Sequence, residues 1–202
     1  MARGRTMKSR LDLQSQERRS LTLALALSDL PGAGWAQVGE RSWRVGATFP
    51  REKDEAVRRA HHAGLYTAAR FFMKDGLELG FSSQVAEYTS LEDAASRVPL
   101  LPAQMLHNHG RTRLRERVFE EESIPGVSPS IVFEQFSTDR DGAGFGQYAG
   151  GSAGGALFVV ACTTIQFGRH DEPDERWSWP DLLALAELQA EKIRRAQNEP
   201  KD

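Results

Sequence analysis

Ala156-Leu157-Phe158-Val159-Val160-Ala161-Cys162-Thr163-Thr164-Ile165-Gln166-Phe167 is the stretch on which the reading of the whole chain turns. A strand with one wet face would alternate apolar and polar side chains. This run stays apolar, β-branched and aromatic throughout, which predicts a central strand covered on both faces. It is too short to cross a bilayer as a helix. Cys162, in mid-run, is expected to be a small buried hydrophobe and not a reactive thiol. As the only cysteine among 202 residues, it excludes an internal disulfide and a multi-cysteine metal site.

Toward the C-terminus, a charged loop from Gly168 to Arg176 reaches Ser178-Trp179-Pro180-Asp181. Serine at the N-cap, proline in the first turn and an acid at the third position all start a helix. Trp179, Leu182, Leu183, Ala186, Ala190 and Ile193 then recur at helical spacing, predicting an amphipathic helix to about Ala196. Trp177 and Trp179 bracket its start and are expected to pack there, not to stack on a ligand.

Upstream of the central run, Gly144 to Tyr148 and Gly150-Gly151-Ser152-Ala153-Gly154-Gly155 read as a flexible hairpin connection. A phosphate-binding loop follows a strand and opens a helix, whereas this cluster enters a strand and no Lys-Ser or Lys-Thr pair follows it. Gly151-Ser152-Ala153 lacks the strand-to-helix elbow of a nucleophilic serine. Ile131 to Ser137 and Leu114 to Glu120 predict strands, the second charged and near an edge. Ser90 followed by Asp93 starts a helix at Leu91 that breaks at Pro99 and Pro102 and ends near His107.

Leu65 to Lys74 and Leu77 to Tyr88 flank Asp75-Gly76, the strongest short hairpin signal in the chain. A two-residue loop pairs Lys74 with Leu77, Phe72 with Leu79, Arg70 with Phe81 and Tyr66 with Val85. Tyr66, Phe72, Leu79, Phe81 and Val85 then share the packed face. The opposite face carries Thr67, Phe71, Met73, Ser82, Gln84 and Tyr88, a polar and aromatic mixture suited to a groove or a partner surface; a one-residue slip would exchange the two sets.

The N-terminal part is simpler. Residues 1–20 hold six basic side chains against two acidic ones, and form a basic flexible arm on an acidic body within a formal charge of -2. That balance, without aromatic interleaving, excludes a dedicated nucleic-acid domain. Arg18-Arg19-Ser20-Leu21 before a short apolar run resembles a twin-arginine export signal. The run ends at Ser28-Asp29 with no small-x-small cleavage site, so Leu21 to Leu27 is expected to be a short packed helix. Trp35 to Phe49 predicts irregular chain with one short strand near Trp43 to Val45. Glu52 to Ala63, acidic early and basic late with Gly64 beyond, predicts a helix.

Chemistry-bearing constellations are sparse. His107-Asn108-His109 resembles a fragment of a nuclease motif, and histidines at i and i+2 can share a metal on an extended segment. Its neighbours Arg111 and Arg113 would repel a cation and no third ligand is marked, so no metal site, hydrolytic site or cofactor is assigned. Glu120-Glu121-Glu122 and Asp171 to Glu175 read as solvated loop charge. No catalytic residue is assigned.

Asp29-Leu30-Pro31 to Trp35, a hairpin, Tyr88-Thr89-Ser90-Leu91-Glu92-Asp93-Ala94, and Leu157 to Gly168 with Leu185 to Ile193 succeed one another in a recognisable order. This order resembles actinobacterial sensor-type domains, namely the PknH-like extracellular sensor domain of a mycobacterial serine/threonine kinase and related cell-envelope lipoprotein domains. The resemblance implies a curved antiparallel β-sheet with packed helices, a cleft for an unknown ligand, and no catalytic residues. The chain departs from that pattern in having no cysteine partner for Cys162, no transmembrane segment and no lipobox cysteine. Its cysteine usage fits a reducing, cytoplasmic setting, with export by the twin-arginine-like signal as the alternative.

The expectation is therefore an α+β domain over residues 21–197, between the basic arm and a short tail at 198–202. Its expected function is that of a non-enzymatic ligand-binding or sensor-like module, with Thr67, Phe71, Ser82, Gln84 and Tyr88 as the ligand-binding residues for an unknown small molecule. The alternative is a structural or interaction protein that binds a partner protein through the sheet face or the basic arm.

Overall fold

A computed structural model of the protein describes residues 19–44, 64–74, 79–109, 112–138, 140–172 and 176–198. Within them, strands β1 (Trp35–Arg44), β2 (Gly64–Lys74), β3 (Leu79–Tyr88), β4 (Thr112–Val118), β5 (Ser130–Thr138), β6 (Gly142–Ala153) and β7 (Ala156–Phe167) form one open sheet. The strand order is β1-β2-β3-β7-β6-β5-β4, and every neighbouring pair is antiparallel. Helices α1 (Leu91–Ser96), α2 (Leu101–His109) and α3 (Trp179–Asn198) complete an α+β fold, with a 3-10 turn at Val98–Leu100 joining the first two.

The decisive run, β7, is the fourth of the seven strands. Its side chains alternate between two cores, which is why its sequence does not alternate. Ala156, Phe158, Val160 and Cys162 face α3 and pack with Leu182, Leu185, Ala186, Ala190 and Ile193. Leu157, Val159 and Ala161 face the other way and pack with Ala94 of α1, Val98, and Leu101 and Met105 of α2. Helix α3 opens where expected, Ser178 Oγ lying 3.5 Å from the Asp181 amide.

Three expectations are corrected. The chain from Trp35 onward is not irregular. It is a ten-residue edge strand, β1, whose polar alternation hides it and whose register shifts between Gln37 and Gly39. The β2–β3 hairpin sits two residues away from the expected register, with Phe72 opposite Phe81 and Ala68 opposite Val85. Because the shift is even, every described side chain keeps its expected face. Asp75-Gly76 and the Tyr66 side chain lie outside the described residues. The glycine cluster is not a flexible connection either. It is β6, buried beside the central strand, and the turn is confined to Gly154 and Gly155 at φ +51° and +79°. Glycine is needed in β6 for close approach: a Cβ on Gly150 would stand 2.5 Å from Leu101 Cδ1, and one on Gly146 would collide with the Tyr148 phenol.

The N-terminal run packs as expected, with less helix. Residues 19–23 are helical and a 3-10 turn covers Leu27–Asp29. Leu23, Ala24 and Leu25 are core residues of the α3 side. The backbone they bring into the interior is met by side chains. Leu25 N–H lies 2.9 Å from Ser83 Oγ and 3.1 Å from Gln189 Oε1, and the Gln189 amide donates to the Leu23 carbonyl. Ser83 donates to Gln189 at 2.5 Å. The helix expected over Glu52 to Ala63 lies outside the described residues.

Candidate functional site

The face of the sheet opposite α3 is divided between a roofed core and a more open margin toward β2. The core is roofed by α1 and α2, and there Ala86, Tyr88, Leu157, Val159, Ala161, Phe133 and Tyr148 form the second core. Beside that cluster, toward β2, the same face carries half-buried Thr67, Phe71, Ser82 and Gln84, Thr67 being opposite Ala86 and Gln84 opposite Val159 of the core, and half-buried Thr163 follows Ala161 along β7. Strand pairing brings these together: Phe71 is opposite Ser82, Ser82 is opposite Ala161, and Gly80 is opposite Thr163.

Side-chain size shapes this strip. Gly80, Ser82 and Thr163 are its small residues, and the space over Gly80 is shared by Thr163 Oγ1 and Met73 Sδ, 3.3 and 3.4 Å from where a Cβ on Gly80 would stand. Phe71 and Met73 rise on the β2 side, Met73 being 40% exposed. On the β6 side the Tyr148 ring lies over Gly146 and stacks on Phe133, centroids 4.6 Å apart with planes 7° off parallel. The strip therefore sets hydroxyl and amide groups between aromatic flanks.

Of the five residues singled out in the sequence, Thr67, Phe71, Ser82 and Gln84 share the strip. Tyr88 points to the same face but lies under α1, buried in the second core. Burial pushes its phenol pKa up; Arg97, itself 2% exposed and hydrogen-bonded to it, pulls the other way, and Asp93 adds to the rise. Thr163 and Gly80 were not legible as site residues, because β7 follows β3 by more than sixty residues and nothing local announces that they pair. Arg97 was likewise missed, being a lone arginine between two helical turns.

Other sequence candidates fall elsewhere. His107 and His109 occupy the last turn of α2, not the extended segment that a shared metal would require, and their side chains lie outside the described residues. Trp177 packs on Trp35 and Phe81, and Trp179 on Phe119. Glu120, Glu121 and Glu122 are exposed. The hydrogen bond from Arg169 holds exposed Asp171 below the ordinary carboxylate range. Among the described residues, no helix is long and apolar enough to cross a membrane.

The order of strands and the two-sided helical cover settle what the fold is like. It is the fold of the PknH extracellular domain. That domain, from Mycobacterium tuberculosis, superposes with a TM-score of 0.51 at 14% identity, covering 91% of this chain and 97% of the PknH domain. A putative uncharacterized protein from Mycobacterium smegmatis is also similar, with a TM-score of 0.46 at 12% identity over 81% of this chain and 90% of that one. No protein-family model matches the chain, and no curated protein matches it. The PknH-like likeness is thus one of architecture.

Proposed function

We propose that the protein is a non-enzymatic, sensor-like module that binds a small molecule on the sheet strip formed by Thr67, Phe71, Ser82 and Gln84, with Tyr88 closing its inner end. The observation that carries this reading is the change across one sheet face, from tight apolar core to half-buried hydroxyl, amide and aromatic groups toward β2. The architectural likeness to a domain described as extracellular supports it. The same likeness supports export over a cytoplasmic setting. Since Leu23, Ala24 and Leu25 are core residues, an exported form would retain the Leu21–Leu27 run.

The test is a thermal-shift screen of polar metabolites with native mass spectrometry of the untreated protein. A stabilising compound should lose its effect in Phe71→Ala and Gln84→Ala, whose unliganded melts stay close to the parent. A screen without any stabilising or co-purifying compound defeats the reading. A second reading, a partner protein laid over the strip, is favoured by Met73 on its rim and by Phe167, 75% exposed at the end of β7. Assembly in solution that Met73→Ser and Phe167→Ser disrupt would select it.

A further inference from the structure

On the opposite side of the sheet, between the start of α3 and the ends of β4 and β5, lies a groove of about 210 Å³ lined by Phe119, Glu122, Val132, Trp179, Pro180 and Leu183. Each wall follows from local structure. The Phe119 amide bonds the Val132 carbonyl at 2.9 Å, extending the β4–β5 ladder by one residue. The chain then reverses, Glu122 N–H bonding the Phe119 carbonyl at 3.2 Å, and this turn brings Glu122 to the groove mouth. The Trp179 and Phe119 rings meet edge to face, 5.2 Å apart. Val132 is the buried floor, and Pro180 and Leu183, on successive turns of α3, form the far wall.

We infer that this groove is a binding site for a small organic ammonium, one aromatic ring or short aliphatic body carrying a protonated amine. Five of the six lining side chains are apolar and the sixth is a carboxylate. A neutral apolar guest would gain nothing from Glu122 at the mouth, and a carboxylate guest would meet repulsion there. An ammonium answers the carboxylate, and the Trp179 ring offers it cation–π contact, the Phe119 ring being already covered by the Arg117 guanidinium. The charge of the neighbouring sequence agrees: Glu120 and Glu121 precede Glu122 in the chain and Asp181 follows Pro180, all of them exposed. Asp181 also offsets the positive end of α3. Arg117 is engaged at the edge of the groove, its guanidinium lying 4.5 Å from the Phe119 centroid and its strand position opposite Glu134. The volume is below the roughly 300 Å³ at which drug-sized sites begin, so the guest is fragment-sized.

The site is independent of the sheet strip, and its test reads different residues. Phenethylammonium, phenethyl alcohol and 3-phenylpropionate, closely matched in shape, are titrated at low salt with the Trp179 indole resonance as readout. The expected result is saturation by the ammonium at least about tenfold tighter than by the other two. Glu122→Gln, an exposed substitution, should bring the ammonium down to the affinity of the alcohol. Leu183→Trp should fill the groove and abolish all binding, and unchanged melting of Glu122→Gln keeps the result interpretable if that second variant folds poorly. Equal affinity for the three probes, no saturation by any, or indifference to Glu122→Gln overturns the inference.

Discussion

Cys162 lies on the α3 side of β7, where it packs within the larger core. Its thiol is buried, so its contribution is packing. Cys162→Ser should cost about 2 kcal/mol by placing a hydroxyl where a small hydrophobe sat, a fall of roughly 4–8 °C in Tm for a chain of this size. Ligand binding measured well below Tm should be unchanged; loss of binding without loss of stability would make Cys162 a functional residue. Asp29 is the residue through which pH enters. Partial burial pushes its pKa up, but the Ala26 N–H at 2.7 Å, Lys192 Nζ at 3.0 Å and the charge of Arg70 outweigh this and leave it below its ordinary value. With the folded pKa below the unfolded one, the stability Asp29 contributes is present above the ordinary aspartate range and is lost as pH falls through it. Asp29→Asn should lower stability by about 1 kcal/mol at pH 7, a modest figure because the pair is partly exposed. The difference from the parent should shrink in melts below about pH 3.5, beneath the ordinary aspartate pKa. A gap that persists there would assign the loss to packing.

At the scale of elements, β6 holds the sharpest lesson about what a sequence discloses. Its glycines read as flexibility, yet the strand is buried along nearly its whole length, because α2 and the Val127 loop approach too closely for a Cβ. Gly150→Ala should therefore destabilise by about 1–3 kcal/mol through overpacking against Leu101. In urea titrations the double variant with Leu101→Ala should be less destabilised than the two single costs added, since truncating Leu101 vacates the space the new methyl needs. Strict additivity would place the strain elsewhere. The elements that were legible carried local signals: two-sided apolarity for β7, cap and stripe for α3, Ser90 and Asp93 for α1. Those that were not depend on distant partners. β1 is a polar edge strand recognisable only beside β2. The hairpin register differs by two residues from the one that a two-residue Asp75-Gly76 loop dictates. Thr67, Phe71, Ser82 and Gln84 were visible together because they belong to the two strands of one hairpin. Thr163 was invisible because β7 reaches β3 only after five intervening strands and helices have been placed.

For the whole molecule, the question is whether the N-terminal run is an appendage or part of the cooperative unit. It contributes no strand to the sheet, and by topology alone it could peel away. Its chemistry argues otherwise. Leu23 and Leu25 are buried between α3 and the sheet, and each fully buried leucine is worth about 1.5–3 kcal/mol. The interior hydrogen bonds of Leu25 N–H and the Leu23 carbonyl end on Ser83 of β3 and Gln189 of α3, so the run cannot leave without stranding buried polar groups on both elements. Outer contacts reinforce this, Ser20 donating to Glu87 at 2.5 Å and Lys192 pairing with Asp29. The Leu25 amide should therefore exchange with solvent as slowly as the amides of β7, because both open only when the molecule unfolds. Gln189→Ala should accelerate the two together and lower the global stability. If Leu25 exchanged orders of magnitude faster than Val160 while β7 stayed protected, the run would be a separate local unit, and the α3 core would have to be stable without Leu23 and Leu25.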